Sequence, residues 1–550
     1  MGRLFRTVRH LRATQIWHRL LQRLPRKGLR IGALSRPGTP ISTFAVPATR
    51  MSSLIAPGRA CFLNREGPIG DDWDPSDFSK LWRYNLHYFD DLNAVGASDR
   101  VKWHSALIDR WIASNPPTAG TGWEPYPTSL RIVNWIKWQL RENALDKAAL
   151  DSLALQTRWL ASRIEWHILG NHLFANAKAL LFAGLIFSGE EAAAWRKMAC
   201  SILLRELREQ CLTDGAHFEL SPMYHLLFLE DVLDIMNIVE AAARADRGSD
   251  VGAIVDAIDE RLPAMFSWAR TMVHPDGEIS FFNDAAFDIA STLAGLVDYA
   301  LRLGRPAPEE PPSSRLLASS GYARLERHDA VVIADVGCVG PDYLPGHAHA
   351  DTLSFEMSLA GRRLVVNGGT SLYESGAERL RQRGTIAHST LVLDGENSSE
   401  VWSSFRVGRR AYPQNVALDI GDVVHLQAQH DGYRHLPGGP IHQRTWSLGA
   451  LYLDIADRIS GQGSHQAELH FHLGVGLRAR AKDASCVEIH CSASGVFFAE
   501  MSSLSGLVLR VEADTHHPRF GASEPTQVIV IDFDSGDVDE HRLRISWIGA

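Results

Sequence analysis

The stretch Gly304-Arg-Pro-Ala-Pro-Glu-Glu-Pro-Pro-Ser-Ser314 divides the chain into two kinds of sequence. Its four prolines cannot continue a helix, because each lacks an N–H and its ring clashes with the preceding turn. Upstream, apolar residues recur at helical spacing. Ser129 to Leu140 carries Leu130, Val133, Trp135 and Ile136, and the same period returns at 151–168, 172–187, 195–211, 223–245, 251–272 and 288–303. Gly or Pro punctuates the gaps, as at Gly170, Asp214-Gly215, Ser221-Pro222 and Pro275-Asp276-Gly277. Helices of similar length with short connections predict helical hairpins, arranged as a ring or as a solenoid. Downstream the pattern changes to short β-branched runs bounded by Gly, Asp and Asn. Ala330–Val336, Leu353–Leu359, Arg363–Val366, Ser389–Asp394 and Val528–Phe533 read as strands of a large antiparallel sandwich. The expected organisation is a basic arm (1–75), a helical domain (76–303), a Pro-rich linker (304–317) and a β-sandwich (318–550).

A chain of 550 residues is too long for one core and implies at least two. With 45% hydrophobic and 22% charged residues it reads as an ordinary globular protein, and no apolar run is long enough to span a bilayer. The net charge of −8 argues against nucleic acid as the partner but leaves room for a local site that takes an anionic glycan. Six cysteines without a CxxC pair read as buried thiols and leave the redox compartment open. The first acidic residue is Glu66, and Arg3 to Arg30 interleaves basic with apolar side chains without an uninterrupted apolar segment of the kind a secretory signal needs. Two readings follow. The arm is a basic amphipathic helix lying on an anionic membrane surface, or a basic segment packed on the body.

Three polar clusters carry the chemistry. Gly170-Asn171-His172 opens a helix, and Glu219-Leu-Ser-Pro-Met-Tyr224-His225 opens another, with Ser221 as N-cap and Pro222 in the first turn. Both place polar groups at helix N-termini, where an anion such as a carboxylate is favoured. The third is Gly346-His347-Ala-His349-Ala-Asp351-Thr-Leu-Ser-Phe-Glu, followed by Thr385-Ile-Ala-His388. Histidines flanking strands either hold a metal, Zn²⁺ being the best match, or serve as hydrogen-bonded strand residues. Between them, the loop from Asn367 through Tyr373 to Arg379, Arg381 and Arg383 offers guanidinium groups for an anionic sugar or an exposed solvated run. Trp123 and Tyr126 belong to an aromatic-rich segment that either lines a cleft for sugar stacking or packs between helices.

The order Asn-His, Ser-Pro-x-Tyr-His, His-x-His-x-Asp-x-Leu-Ser-Phe-Glu, then Ala-His-Ser-Thr with a later Asp-Gly resembles the heparinase II/III-like and alginate lyase family, from about residue 80 to the end. The resemblance implies an incomplete (α/α) toroid joined to an antiparallel β-sandwich. It also implies β-elimination on a uronic-acid-containing polysaccharide. In that chemistry a base removes the C5 proton, an acid protonates the departing O4, and the substrate carboxylate is neutralised. By motif position Tyr224 would be the acid, and either it or His172 or His347 the base. Asn171 would hold the carboxylate, and His225, Arg379, Arg383, Trp123 and Tyr126 would contact substrate. A metal, where relatives have one, would fall to His349, His388 and Asn367, although several relatives carry Asp at the last position and neutral Asn is the poorer ligand. The resemblance places such an enzyme in the periplasm or cell envelope. An arm held at the inner membrane would reconcile that with the missing export signal, and a cytoplasmic enzyme is the alternative. Two other classes stay open. A glycoside hydrolase would need paired carboxylates, with Glu219, Asp276, Glu278 and Asp284 as candidates. A non-catalytic glycan-binding or exopolysaccharide-assembly protein would tolerate a degenerate site.

Overall fold

In the computed structural model, the residues described are 2–549 apart from 25–27, 30, 31, 33, 39, 40, 42, 43, 142, 244–248, 306–311 and 537–539. Residues 306–311 of the Pro-rich linker, and Arg26, Lys27 and Arg30 of the basic arm, therefore lie outside the described residues. The chain begins with two short helices, α1 (Gly2–Val8) and α2 (Ala13–Leu21). A three-stranded antiparallel sheet follows (Leu54–Ala56, Arg59–Phe62, Arg65–Pro68), which sequence reading had placed in the arm without strands.

The helical domain consists of α3 (Lys80–Tyr88), α4 (Val101–Ser114), α5 (Pro125–Leu140), α6 (Lys147–Ala161), α7 (Gly170–Ile186), α8 (Glu190–Gln210), α9 (Pro222–Ala243), α10 (Ser249–Thr271) and α11 (Leu293–Arg302). Helix α7 is apolar nearly all round, and it is buried between α5, α8 and α9. Helix α11 begins five residues later than the periodicity suggested. Residues 281–292 instead form an irregular segment, with left-handed Asn283 and Asp288, that faces the second domain.

That second domain is a β-sandwich. One antiparallel sheet runs in the order Leu509–His516, Glu524–Asp534, Gln466–Leu473, Arg362–Val366, Phe355–Leu359, Ala330–Asp335, Tyr322–Arg327, Arg315–Leu317, with Leu391–Leu393 also paired to Gln466–Leu473. The facing eight-stranded sheet consists of Pro413–Ile420, Val424–His430, Ile441–Leu448, Tyr452–Ser460, Leu477–Asp483, Cys486–Cys491, Phe497–Ser503 and Glu540–Ser546. Alternate residues of the two inner faces fill one core, among them Val332, Phe355, Leu364, Trp446, Ile455, Phe471 and Ile531. The architecture is thus a helical toroid followed by an antiparallel sandwich. A separate apolar cluster welds the two: Leu220, Trp268, Met272 and Phe282 pack against Leu317, Tyr322, Val331 and Ile333. No described helix is long and apolar enough to cross a membrane.

The two arm helices lie against the body by their polar side. Arg3 and Arg6 pair with Glu400, Trp402 Nε1 donates to Thr7 Oγ1 (3.1 Å), Arg12 stacks over Tyr343, and buried Gln15 donates to the Tyr343 carbonyl. Their apolar side chains Phe5, Trp17, Leu20 and Leu24 stay at least half exposed.

Candidate active site

The seam between the domains is pinned by one unusual residue. Asn283 has φ 57°, a left-handed conformation that Asn tolerates. Its amide donates to the Leu220 carbonyl and Tyr322 Oη, and its Oδ1 accepts the His349 N–H (2.9 Å). The next residue, Asp284, donates its N–H to the His347 carbonyl. The His-x-His segment of the sandwich is thereby fixed to the toroid loop. The Asp284 carboxylate then receives Arg379 through two hydrogen bonds (2.5 and 2.8 Å), His347 Nδ1 (2.9 Å) and His349 Nε2 (2.9 Å). Burial opposes its charge, yet Arg379 and the two imidazoles hold its carboxyl well below the usual range. Asp284 therefore stays ionised and fixes the orientation of both histidines.

On the toroid side, Leu169 (φ 71°) and Gly170 (φ 56°) turn the chain sharply into α7. A Cβ at 170 would be strained at this φ and would push aside the ends of the Glu219 and Leu344 side chains. Glu219 Oε1 accepts the Asn171 N–H (3.2 Å) at this helix start. The Asn171 side-chain amide has no hydrogen-bond partner among the described residues and lines the cleft. His172 Nδ1 lies 3.1 Å from Glu165 Oε1, and its ring packs on Tyr126 at 4.3 Å. Glu165 is held in turn by Asn176, which donates to Oε2 and accepts the Glu165 N–H. Burial disfavours a charge on His172, but Glu165 and then Glu219 outweigh it and raise its pKa. With Nδ1–H assigned toward Glu165, Nε2 is left as the acceptor, and a quarter of the side chain remains exposed.

Tyr224 sits in the first turn of α9, where Ser221 Oγ accepts its N–H and the Ser221 hydroxyl donates to the Asp284 carbonyl. The Tyr224 ring stacks on His347 at 3.9 Å, and its hydroxyl meets Tyr373 Oη at 3.2 Å. Burial, then Tyr373 and Tyr126, keep the phenol well above its ordinary value near 10. His347 has both nitrogens engaged, by Asp284 and by Glu219 (3.4 Å).

A cleft of about 460 Å³ is lined by Asn171, Tyr224, Tyr126 and Tyr373, with His172 behind Tyr126 and His347 behind Tyr224, together with a set of charges that sequence reading did not single out. Lys178 bonds Asp231 and Asp234, Lys137 bonds Asp234, and Arg50 bonds Glu230. A positional signal existed: Lys178 is seven residues after Asn171, Asp231 seven after Tyr224, and two turns return a helix to the same face.

Four expected substrate contacts lie elsewhere. His225 is fully buried, accepting the His217 N–H and approaching the Met265 carbonyl, so it ties α9 to α10. Trp123 packs between Trp111 and Trp159 in the toroid core. Arg379 is buried on Asp284, and Arg383 is buried on the Ala348 and Ser403 carbonyls, because helix Ala377–Arg383 turns both inward to support the histidine segment. Of the five, Tyr126 reaches the cleft.

The candidate metal set also differs from expectation. Asn367 spends its amide on the Ser389 N–H and Ser354 Oγ. His349 Nδ1 and His388 Nε2 face each other at 3.2 Å, and Asp351 joins them, the three ligand atoms lying within 4.8 Å of one another. Two nitrogens on one tetrahedral zinc would stand about 3.3 Å apart. Both imidazoles are kept neutral by burial, His388 Nδ1 has no partner, and burial pushes the Asp351 carboxyl up to about 6. A buried acid whose Oδ2 accepts the Asn283 N–H, beside two neutral imidazoles of which one is oriented by Asp284, suits a divalent cation.

Residues 69–301 match the heparinase II/III N-terminus family model, and residues 309–548 match the heparinase II/III-like C-terminal model. A heparin-sulfate lyase of Pedobacter heparinus is 26% identical over 72% of this chain and 58% of its own length. One of Bacteroides stercoris is 24% identical over 57% of this chain and 47% of its own length, so the chain spans about half the length of these relatives. The solved structure of a heparinase III superposes with a TM-score of 0.66 at 19% identity, covering 88% of this chain and 79% of the other, and has the same fold.

Proposed function

Because the chain belongs to the heparinase II/III-like family, we propose that it is a polysaccharide lyase that cleaves a uronic-acid-containing polysaccharide by β-elimination. The observation that carries this reading is the division of the site into a phenol kept protonated and an imidazole paired with a carboxylate. His172 Nε2 takes the C5 proton, and Glu165 stabilises the imidazolium that forms. Asn171 donates its amide to the substrate carboxylate at the start of α7, where the helix dipole favours the charge that develops. The C5–H electron pair becomes the C4–C5 double bond. The C4–O4 bond breaks, and Tyr224 delivers its proton to O4. His347, stacked on Tyr224 and held by Asp284 and Glu219, positions the phenol.

Hydrolysis by paired carboxylates is the weaker reading. Asp284 is wholly buried with its oxygens committed, Asp276 pairs with Arg363, and Glu219 is enclosed behind His347. The test is incubation with a panel of uronate polysaccharides. The ultraviolet absorbance of an unsaturated uronate at new chain ends supports elimination, whereas new reducing ends without it overturn the reading in favour of hydrolysis.

The same reading includes two further sites. His349, His388 and Asp351 would hold a zinc ion, which supplies a brace for the histidine segment and takes no part in the proton transfers. The arm would rest on an anionic membrane surface. Its helices turn their polar side to the body and leave Phe5, Trp17, Leu20 and Leu24 outward beside Arg9, Arg19 and Arg23. Sedimentation with anionic but not zwitterionic vesicles, lost on Trp17→Asp, supports this placement; failure to bind anionic vesicles refutes it.

A further inference from the structure

Resting on the lyase reading, we infer that the cleft is built for an unsulfated polysaccharide, in which the uronate carboxylate is the only anion and the neighbouring sugars are neutral. The argument starts from the cations. Four line the cleft, and five carboxylates line it with them. Each cation is already engaged. Lys178 Nζ lies 2.7 Å from Asp231 and 2.6 Å from Asp234. Lys137 Nζ lies 2.7 Å from Asp234. Arg50 spans Glu230 (3.1 Å) and Asp90 (3.6 Å), and Arg519 at the rim pairs with Asp288. The two lysines are almost wholly buried beneath their partners, so the charges that face an occupant are Asp231 and Asp90 on the floor, Arg50, as exposed as either and shared between Glu230 and Asp90, and the Arg519–Asp288 pair at the rim. The extension of the cleft past Asn64 adds Arg65 and Glu374, one charge of each sign.

A sulfate ester is recognised by guanidinium or ammonium groups with free N–H donors. Here a sulfate would reach Arg50 or Arg519 only beside the carboxylates that already hold them, and like charges across an interface select against a partner. Of the three arginines of the sandwich loop, Arg379 and Arg383 are buried on Asp284 and on backbone carbonyls, and Arg381 pairs with Glu378 and does not line the cleft. The remaining polar lining is neutral. Asn64 and Asn85 each have one amide hydrogen bond, to a backbone carbonyl, Asn134 is spent on Tyr88, Asp90 and Asn93, and the half-buried Tyr126 offers a face for a sugar ring. Asn171 and the α7 N-terminus provide for one carboxylate and no more.

The experiment uses matched glycans that differ only in sulfation: heparosan against O-sulfated heparosan of the same backbone, and unsulfated chondroitin against chondroitin 4-sulfate. The wild-type protein is assayed for unsaturated product, and the Tyr224→Phe protein for binding of oligosaccharides from the same pairs by calorimetry. The unsulfated member is expected to be cleaved and bound better by roughly tenfold or more, the size of one charge-assisted contact. Asp231→Asn, which removes the exposed negative charge from the floor, narrows that ratio. Asp90→Asn does the same should the first variant fail to fold. Equal or better handling of the sulfated member overturns the inference, as does failure to bind either member of any pair. Preferential binding of the unsulfated member without cleavage would refute the lyase reading and leave this one standing.

Discussion

Replacing Tyr224 by Phe removes one oxygen and little else. The ring keeps its stack on His347 at 3.9 Å and its place in the first turn of α9. Among the described residues its hydroxyl meets Tyr373 Oη alone, at 3.2 Å, which is long for two hydroxyls. The loss in stability should therefore be about 0.5–1.5 kcal/mol, the net contribution of an ordinary hydrogen bond. The loss in rate should be far larger. A positioned general acid contributes about 10²–10⁴-fold, or roughly 3–5 kcal/mol of barrier. Initial rates of unsaturated-product formation for Tyr224→Phe, Tyr373→Phe and wild type, together with their melting temperatures, separate the two effects. Tyr373→Phe loses the same hydrogen bond without losing the acid, so its stability should match and its activity should largely persist. If Tyr224→Phe retains activity within about threefold of wild type, well short of a general acid's contribution, Tyr224 is not the proton donor. If both variants lose activity equally, the hydroxyl pair acts through its geometry.

Three other expectations follow from the same geometry. His172 acts as a base only when neutral, and Glu165 and Glu219 raise its pKa above the ordinary value near 6.5, so the acidic limb of the activity profile lies above that pH. Glu165→Gln removes the main opposing charge and leaves burial, which lowers the pKa, so the limb should move to lower pH in a kcat/KM profile; an unmoved or raised limb would exclude His172 as the base. Gly170→Ala should cost activity through displacement of Glu219 and Asn171 and should cost stability by more than about 1 kcal/mol, because its left-handed φ also disfavours a Cβ; chemical denaturation and rates would show both, and a neutral variant would contradict the close packing. Purified protein should carry stoichiometric zinc by elemental analysis and lose thermal stability on chelation; Asp351→Ala should abolish the metal while Asn367→Ala retains it, and the reverse pattern would return the third ligand to residue 367.

The sequence by itself determined the two-domain plan, since a 3.6-residue apolar period and a β-branched alternating pattern cannot be mistaken for one another on either side of a run of prolines. It also placed Asn171 and Tyr224 at helix starts, because Ser221-Pro222 and Gly170 are local signals that need no partner. What it could not decide was which polar side chains face inward. Arg379, Arg383 and His225 look like substrate contacts in one dimension. They become supports once Asp284, Ala348 and Met265 arrive from distant segments to receive them. The same holds for the metal set, where Asp351 takes the place expected of Asn367, and for the cleft floor, where Lys137, Lys178 and Asp234 meet from three helices. Burial, charge pairing and pKa are properties of neighbours, and for most of these residues the neighbours lie about 35 to 97 positions away, so only the packing within each domain and, for Arg379 on Asp284, of the toroid against the sandwich could assign them.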